Sequence, residues 1–144
     1  MSLASVISIR NSRLMDCQLE HVGYVTDDIA KTAEAFRLMG YEAGEIVNDD
    51  TQRTRICFLR KQGETNIELV EPYEDNKTMQ KMLKRGVTPY HTCYVVDDVN
   101  AAYEEMLDND FTPLFKPVAA PAFDNRLICY FWKSEIGFIE LVNR

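Results

Sequence analysis

His21-Val22-Gly23-Tyr24-Val25-Thr26-Asp27-Asp28-Ile29 returns 70 residues later as His91-Thr92-Cys93-Tyr94-Val95-Val96-Asp97-Asp98-Val99. A second phrase, Ile67-Glu68-Leu69-Val70, returns 72 residues later as Ile139-Glu140-Leu141-Val142. A repeat of near-constant period sets the architecture before any single residue is weighed. Each copy opens on a strand that carries one His and closes on a strand that carries one Glu.

Working outward from the first phrase, residues 18–26 alternate as a strand. Leu19, His21, Gly23 and Val25 lie on one face, and Glu20, Val22 and Tyr24 on the other. Asp27 or Asp28 then caps a helix whose apolar side is Ile29, Ala33, Phe36 and Leu38 or Met39, with Gly40 as its stop. Strands are predicted at 41–47, 52–60 and 65–71, the last two joined by the turn Lys61-Gln62-Gly63-Glu64. Pro72 closes the copy. A linker helix from Lys77 to Arg85, capped by Asn76 and stopped by Gly86, presents Met79, Met82 and Leu83 on one side. The second copy repeats the order, with strands at 90–96, 111–117, 127–133 and 137–143. Its helix runs from Asp98 to Asn109 with Val99, Ala102, Met106 and Leu107 inward. Pro113, Pro117 and Pro121 crowd a loop at 118–126, a length often reserved for function. The predicted fold class is α+β: two paired β-α-β-β-β modules forming a curved, mainly antiparallel sheet. The predicted boundaries are an N-terminal extension 1–17, a first module 18–72, a linker helix 73–89 and a second module 90–144.

Composition narrows the function. With 144 residues and 46% hydrophobic content, the chain makes one domain or two half-size modules sharing a core. A net charge of −7 argues against nucleic acid or an anionic membrane as partner. No apolar run reaches the roughly 20 residues of a membrane span. Residues 1–13 lack the apolar stretch and cleavage site of a secretory signal. Met1-Ser2-Leu3 reads as an appended tag remnant, with Met15 as a second candidate start. Cys17, Cys57, Cys93 and Cys129 form no C-x-x-C pair and lie in apolar stretches. They read as free buried thiols, and the expected location is a reducing cytoplasm.

The chemistry lies in the repeated polar residues. Asn66, Glu68 and Val70 share a strand face, as do Phe138, Glu140 and Val142. The Ile and Leu flanking each Glu must pack on the opposite side. If the modules join in one sheet, His21, Glu68, His91 and Glu140 line one concavity. Two imidazoles and two carboxylates suit one divalent ion such as Zn, Ni, Co, Mn or Fe, without selecting among them. Such an ion acts as a Lewis acid toward a chelating substrate and stabilises an enolate formed beside a carbonyl. A carboxylate at the centre can serve as the base. The Asp-Asp pairs are explained by helix capping alone.

These phrases resemble the vicinal oxygen chelate superfamily (glyoxalase, bleomycin resistance and dioxygenase proteins) from about Leu19 to Val142. The resemblance implies a metal site at His21, Glu68, His91 and Glu140. Among its branches the chain is most similar to methylmalonyl-CoA epimerase. The words that carry this are Ile67-Glu68-Leu69-Val70-Glu71-Pro72, Tyr90-His91, Val96-Asp97-Asp98-Val99 and Asn125-Arg126-Leu127. That branch implies a metal-dependent isomerase that stabilises an enolate of a small acyl substrate such as a coenzyme A thioester. It also implies Glu140 as base, Arg126 as a substrate contact and a homodimer. The stretch Gln52-Arg53-Thr54-Arg55-Ile56-Cys57-Phe58 lacks the second carboxylate of a two-base epimerase. Arg55 aligns nearest and is expected to meet a substrate carboxylate or phosphate. A glyoxalase I-like lyase shares the His, Glu, His, Glu order, but Val25 and Pro72 stand where it carries polar contacts. A non-catalytic small-molecule-binding relative is the third reading.

Overall fold

The computed structural model describes residues 15–144. The expectations placed on residues 1–14, namely the tag remnant, the signal reading and most of the N-terminal extension, lie outside the described residues. The strands are β1 (Cys17–Val25), β2 (Glu42–Asp49), β3 (Thr54–Arg60), β4 (Asn66–Pro72), β5 (Thr88–Val96), β6 (Thr112–Pro113), β7 (Val118–Ala120), β8 (Arg126–Lys133) and β9 (Gly137–Asn143). The helices are α1 (Ile29–Arg37), α2 (Lys77–Leu83) and α3 (Val99–Asp108), with a 3-10 turn at Pro121–Phe123.

All the strands join one sheet in the order β2-β3-β4-β1-β5-β9-β8-β6, with β7 also paired to β8. The two halves use the same pairings. β1 runs parallel to β4 and β5 parallel to β9, because each is followed by a crossover helix. The outer pairs, β3–β4 and β8–β9, are antiparallel hairpins. The halves meet where β1 pairs antiparallel with β5, placing Gly23 opposite His91 and His21 opposite Cys93. The α+β class and the curved, mainly antiparallel sheet therefore hold as read from the repeat.

Period-two alternation divides the core into layers. Under α1, Cys57, Leu59, Ile67 and Leu69 pack with Ile29 and Phe36. Under α3, Cys129, Phe131, Ile139 and Leu141 pack with Val99, Ala102 and Met106. The other sheet face carries a third cluster that includes Ile56, Phe58, Phe123, Ile128 and Tyr130. Each fully buried aliphatic side chain contributes about 1.5–3 kcal/mol.

Both helix starts are built alike. Asp28 accepts from Lys31 N at 3.1 Å and Asp98 from Ala101 N at 3.2 Å. The first helical amides, of Ile29 and Val99, donate to the Glu71 and Asn143 side chains at the ends of β4 and β9. The caps thus tie each helix to its own module.

Several expectations change. Leu38 and Met39 are exposed, because α1 ends at Arg37 and they leave its apolar period. The strand expected at 111–117 shrinks to β6 and the separate β7, since Pro113 and Pro117 remove ladder donors. The 118–126 loop is instead ordered by β7 and the 3-10 turn. Cys17 is exposed, while the other three cysteines are buried as free thiols. Among the described residues no helix is long and apolar enough to cross a membrane.

A Cβ on Gly23 would overlap the His91 imidazole. Gly23→Ala is therefore expected to lower the unfolding free energy by about 1–3 kcal/mol, measured by denaturant titration. Asp98→Ala, which removes one cap, is expected to cost about 1 kcal/mol in the same assay.

Candidate metal centre

β1 and β5 present the two histidines, and β4 and β9 the two glutamates, all toward the same sheet face. Within one chain the four side chains converge, with one ligand atom from each lying within 4.8 Å of the others. His21 Nε2 lies 3.0 Å from His91 Nε2, 3.6 Å from Glu68 Oε1 and 3.1 Å from Glu140 Oε1. His91 Nε2 lies 3.5 Å from Glu68 Oε1 and 3.2 Å from Glu140 Oε1. An ion about 2.0–2.2 Å from each donor would hold neighbouring donors about 2.8–3.6 Å apart. The donors have the separations of a coordination shell.

The electrostatics point the same way. His21, Glu68, His91 and Glu140 are all buried to 4% exposure or less. Two ionised carboxylates there are costly without compensating positive charge. Protons supply that charge when no ion does. Burial works against a charged His21, but Glu68, Glu140 and Glu20 outweigh it and raise its pKa to about 10. Burial, reinforced by Glu140, pushes Glu68 up to about 8 despite His21. Glu140 goes the other way, to about 2, because hydrogen bonds from His21 and His91 overcome its burial. Burial lowers His91 despite its contact with Glu140. Two carboxylates and one divalent ion sum to zero charge, so the residues fit such an ion.

His21 has a further partner that strand alternation missed. A bulge in β1 between Leu19 and His21 breaks the alternation and brings the Glu20 carboxylate 3.1 Å from His21 Nδ1. A proton on Nδ1, donated to Glu20, leaves the Nε2 lone pair facing the cluster. Asn66 steadies Glu20 through its amide at 3.2 Å. The repeat could not flag Glu20, because its counterpart in the second copy is Tyr90. Around His21, Phe123 stacks at 5.7 Å between centroids and Phe58 meets its edge at 5.4 Å.

The cluster opens into a cavity of about 530 Å³ reached by Glu68 and Glu140. Its wall is mainly apolar and includes Ile56, Val70, Met79, Met82, Phe115 and Phe138. None of its described lining residues is Lys or Arg. Tyr90 and Tyr130 stand beside the cluster. Burial first, and then the nearby carboxylates, push both phenols well above their ordinary range, so they remain protonated at neutral pH.

The two expected arginine contacts are not part of this cavity. Alternation along β3 turns Thr54, Ile56 and Phe58 to the cavity side and sends Arg55 to the other, where it pairs with Glu71 at 2.7 Å. Arg126 begins β8 on the cavity side but is exposed. Its guanidinium bonds the carbonyls of Phe123 and Asn143 and lies over the Phe123 ring, so it braces the wall from outside. The cavity-facing residues of β3 include no acid, as the sequence led one to expect.

Among curated protein sequences none matches the chain. The fold is shared with methylmalonyl-CoA epimerase from Mycobacterium tuberculosis, with a TM-score of 0.79 and 22% identity over 92% of this chain and 91% of that one. A hypothetical protein from Bacillus halodurans aligns with a TM-score of 0.77 and 19% identity over 90% and 95%. A variant of Streptomyces coelicolor methylmalonyl-CoA epimerase, in complex with 2-nitronate-propionyl-CoA, aligns with a TM-score of 0.77 and 21% identity over 88% and 96%. Residues 20–130 match the profile of one family across both His strands and the first Glu strand. The chain belongs to the Glyoxalase/Bleomycin resistance protein/Dioxygenase superfamily.

Proposed function

We propose that this protein is a metal-dependent enzyme that moves a proton beside the carbonyl of a small acyl substrate, with an epimerase-like outcome. The observation that carries the reading is the convergence of His21, Glu68, His91 and Glu140 at a deep, mainly apolar cavity. The fold likeness to methylmalonyl-CoA epimerases supports the reaction class, and a coenzyme A thioester is the substrate type it suggests.

When bound, the ion supplies Lewis-acid polarisation of a substrate oxygen. The remaining roles belong to the chain. His21 and His91 would hold the ion through Nε2, with Glu68 and Glu140 completing the set and Glu20 fixing the His21 ring. Glu140 is the base: its carboxylate faces the cavity beside the ion site, where a substrate's α-proton would lie. The apolar wall excludes water, which strengthens electrostatic contacts inside. With no Lys or Arg on that wall, the acyl group sits inside and charged parts of a carrier remain outside. A glyoxalase-like lyase would act instead on a hemithioacetal, and a binding protein would retain ligand without turnover. The homodimer stays part of this proposal, and light scattering that finds a monomer at micromolar concentration excludes it.

Elemental analysis of protein purified without chelator is expected to find one divalent ion per chain. Less than a tenth of an equivalent, with no uptake of added Co²⁺ or Ni²⁺, refutes the metal reading. At pH 7 the coupled His21–Glu68 pair holds protons in the metal-free protein that an ion would displace, so loading should release at least one proton. Calorimetry in buffers of different ionisation enthalpy measures that number. Apparent affinity should rise as pH climbs through about 8 and on toward about 10, where first Glu68 and then His21 no longer need to be deprotonated. Glu20→Ala should weaken binding by about 10–100-fold. The loaded protein should wash deuterium from D2O into the α-position of an acyl-CoA, and Glu140→Gln should slow this by about 10²–10⁴-fold. Exchange that survives chelation, or survives Glu140→Gln, defeats the mechanism.

A further inference from the structure

The ligand positions repeat between the halves, but the groups beside them do not. Opposite Glu68, β3 carries Phe58; opposite Glu140, β8 carries Tyr130. The residue before His21 is Glu20 and the residue before His91 is Tyr90. Carboxylate support is therefore found on one side of the centre and phenolic hydroxyls on the other.

Tyr130 Oη lies 3.3 Å from His91 Nε2, the atom that faces the other ligands. Tyr90 packs on the His91 ring at 4.4 Å between centroids, and its phenol neighbours that of Tyr130. Both tyrosines line the cavity. Other polar groups on the wall lie elsewhere. Thr54 is opposite Pro72, four residues along β3 from the Phe58–Glu68 pair, about 13 Å away. Asn76 is already spent, its amide on the carbonyls of Gln52 and Arg53 and its oxygen on the α2 amide of Met79.

His91 Nε2 has a single lone pair. Once that lone pair is given to an ion, Tyr130 loses its acceptor, and a buried hydroxyl without one is costly. The replacement within reach is an oxygen that a substrate brings to the cluster. We propose that the Tyr130 hydroxyl is a catalytic hydrogen-bond donor to the substrate carbonyl oxygen, held in place by Tyr90 as a positioning residue. The donor favours the enolate over the ketone form, because negative charge grows on that oxygen as the α-proton leaves. No covalent change at Tyr130 is involved. The proposal rests on reading the cluster as a divalent metal site.

Oxalate, a chelating dianion, serves as the probe. Co²⁺-loaded wild type, Tyr130→Phe and Tyr90→Phe are titrated with it while the visible Co²⁺ absorption is followed. Tyr130→Phe should bind Co²⁺ with unchanged stoichiometry and weaken oxalate by about 10–100-fold, the range expected for a hydrogen bond to a charged group. Tyr90→Phe should weaken it in the same direction by less. Unchanged oxalate affinity in Tyr130→Phe overturns the proposal and leaves the metal site standing. Loss of Co²⁺ uptake in Tyr130→Phe also overturns it, since the hydroxyl would then belong to the ligand set. Failure of the wild type to take up Co²⁺ overturns the metal reading and this inference together. If Tyr130→Phe does not fold by circular dichroism, unchanged oxalate affinity in Tyr90→Phe overturns the proposal in its place.

Discussion

The antiparallel pairing of β1 with β5 joins the two halves and brings the only two histidines of the chain face to face. Its register leaves little freedom. Gly23 stands opposite His91, and the imidazole occupies the space a side chain there would fill. A slip of one residue between the two strands would put the histidines on opposite faces of the sheet, since side chains alternate with period two. The parallel pairings of β1 with β4 and β5 with β9 then carry the glutamates to the same place. Gly23 sits beside Glu68 and Cys93 beside Glu140 in those ladders.

Electrostatics makes this arrangement conditional. Two carboxylates and two imidazoles in an apolar interior cannot all adopt their solution charge states. Without a cation, His21 and Glu68 keep protons they would lose in water at high enough pH, while Glu140 stays ionised between the rings. A divalent ion there would take over the charge that those protons supply. Glu20, reaching His21 Nδ1 across a β-bulge, commits that ring to presenting Nε2 inward.

Symmetry in the fold supports asymmetry in the chemistry. Each module supplies one His and one Glu from equivalent strands, which suffices for a ligand set. Replacing Phe58 by Tyr130 and Glu20 by Tyr90 at matching positions makes the two sides of the centre unlike. The linker helix α2 and the 118–126 segment have no equivalent pair in the repeat, and both reach the cavity wall through Met79, Met82 and Phe123. Much of the cavity wall is therefore drawn from outside the repeated words.

Much of this was legible in the residues. The repeat, the alternation along the strands and the Asp-Asp caps are encoded within a few neighbouring positions, and they marked the helices and the four polar residues that converge. Arg55 stands away from the cavity for a traceable reason: it aligns near the position of interest, but its parity on β3 sends it to Glu71 and the helix side. Arg126, expected at the substrate, lies outside the wall and braces it through the Phe123 ring. Glu20 was hidden because a bulge, which depends on how β1 meets β5, overrides simple alternation. Tyr130 and His91 are 39 residues apart, and only the shared register of β5, β9 and β8 brings them together. The sequence by itself determined the repeat and the His, Glu, His, Glu positions that the sheet brings together, because both follow from local periodicity and repetition. The tertiary structure decided which groups orient, wall and hydrogen-bond that set, because such contacts depend on strand register and bulges summed across the whole sheet.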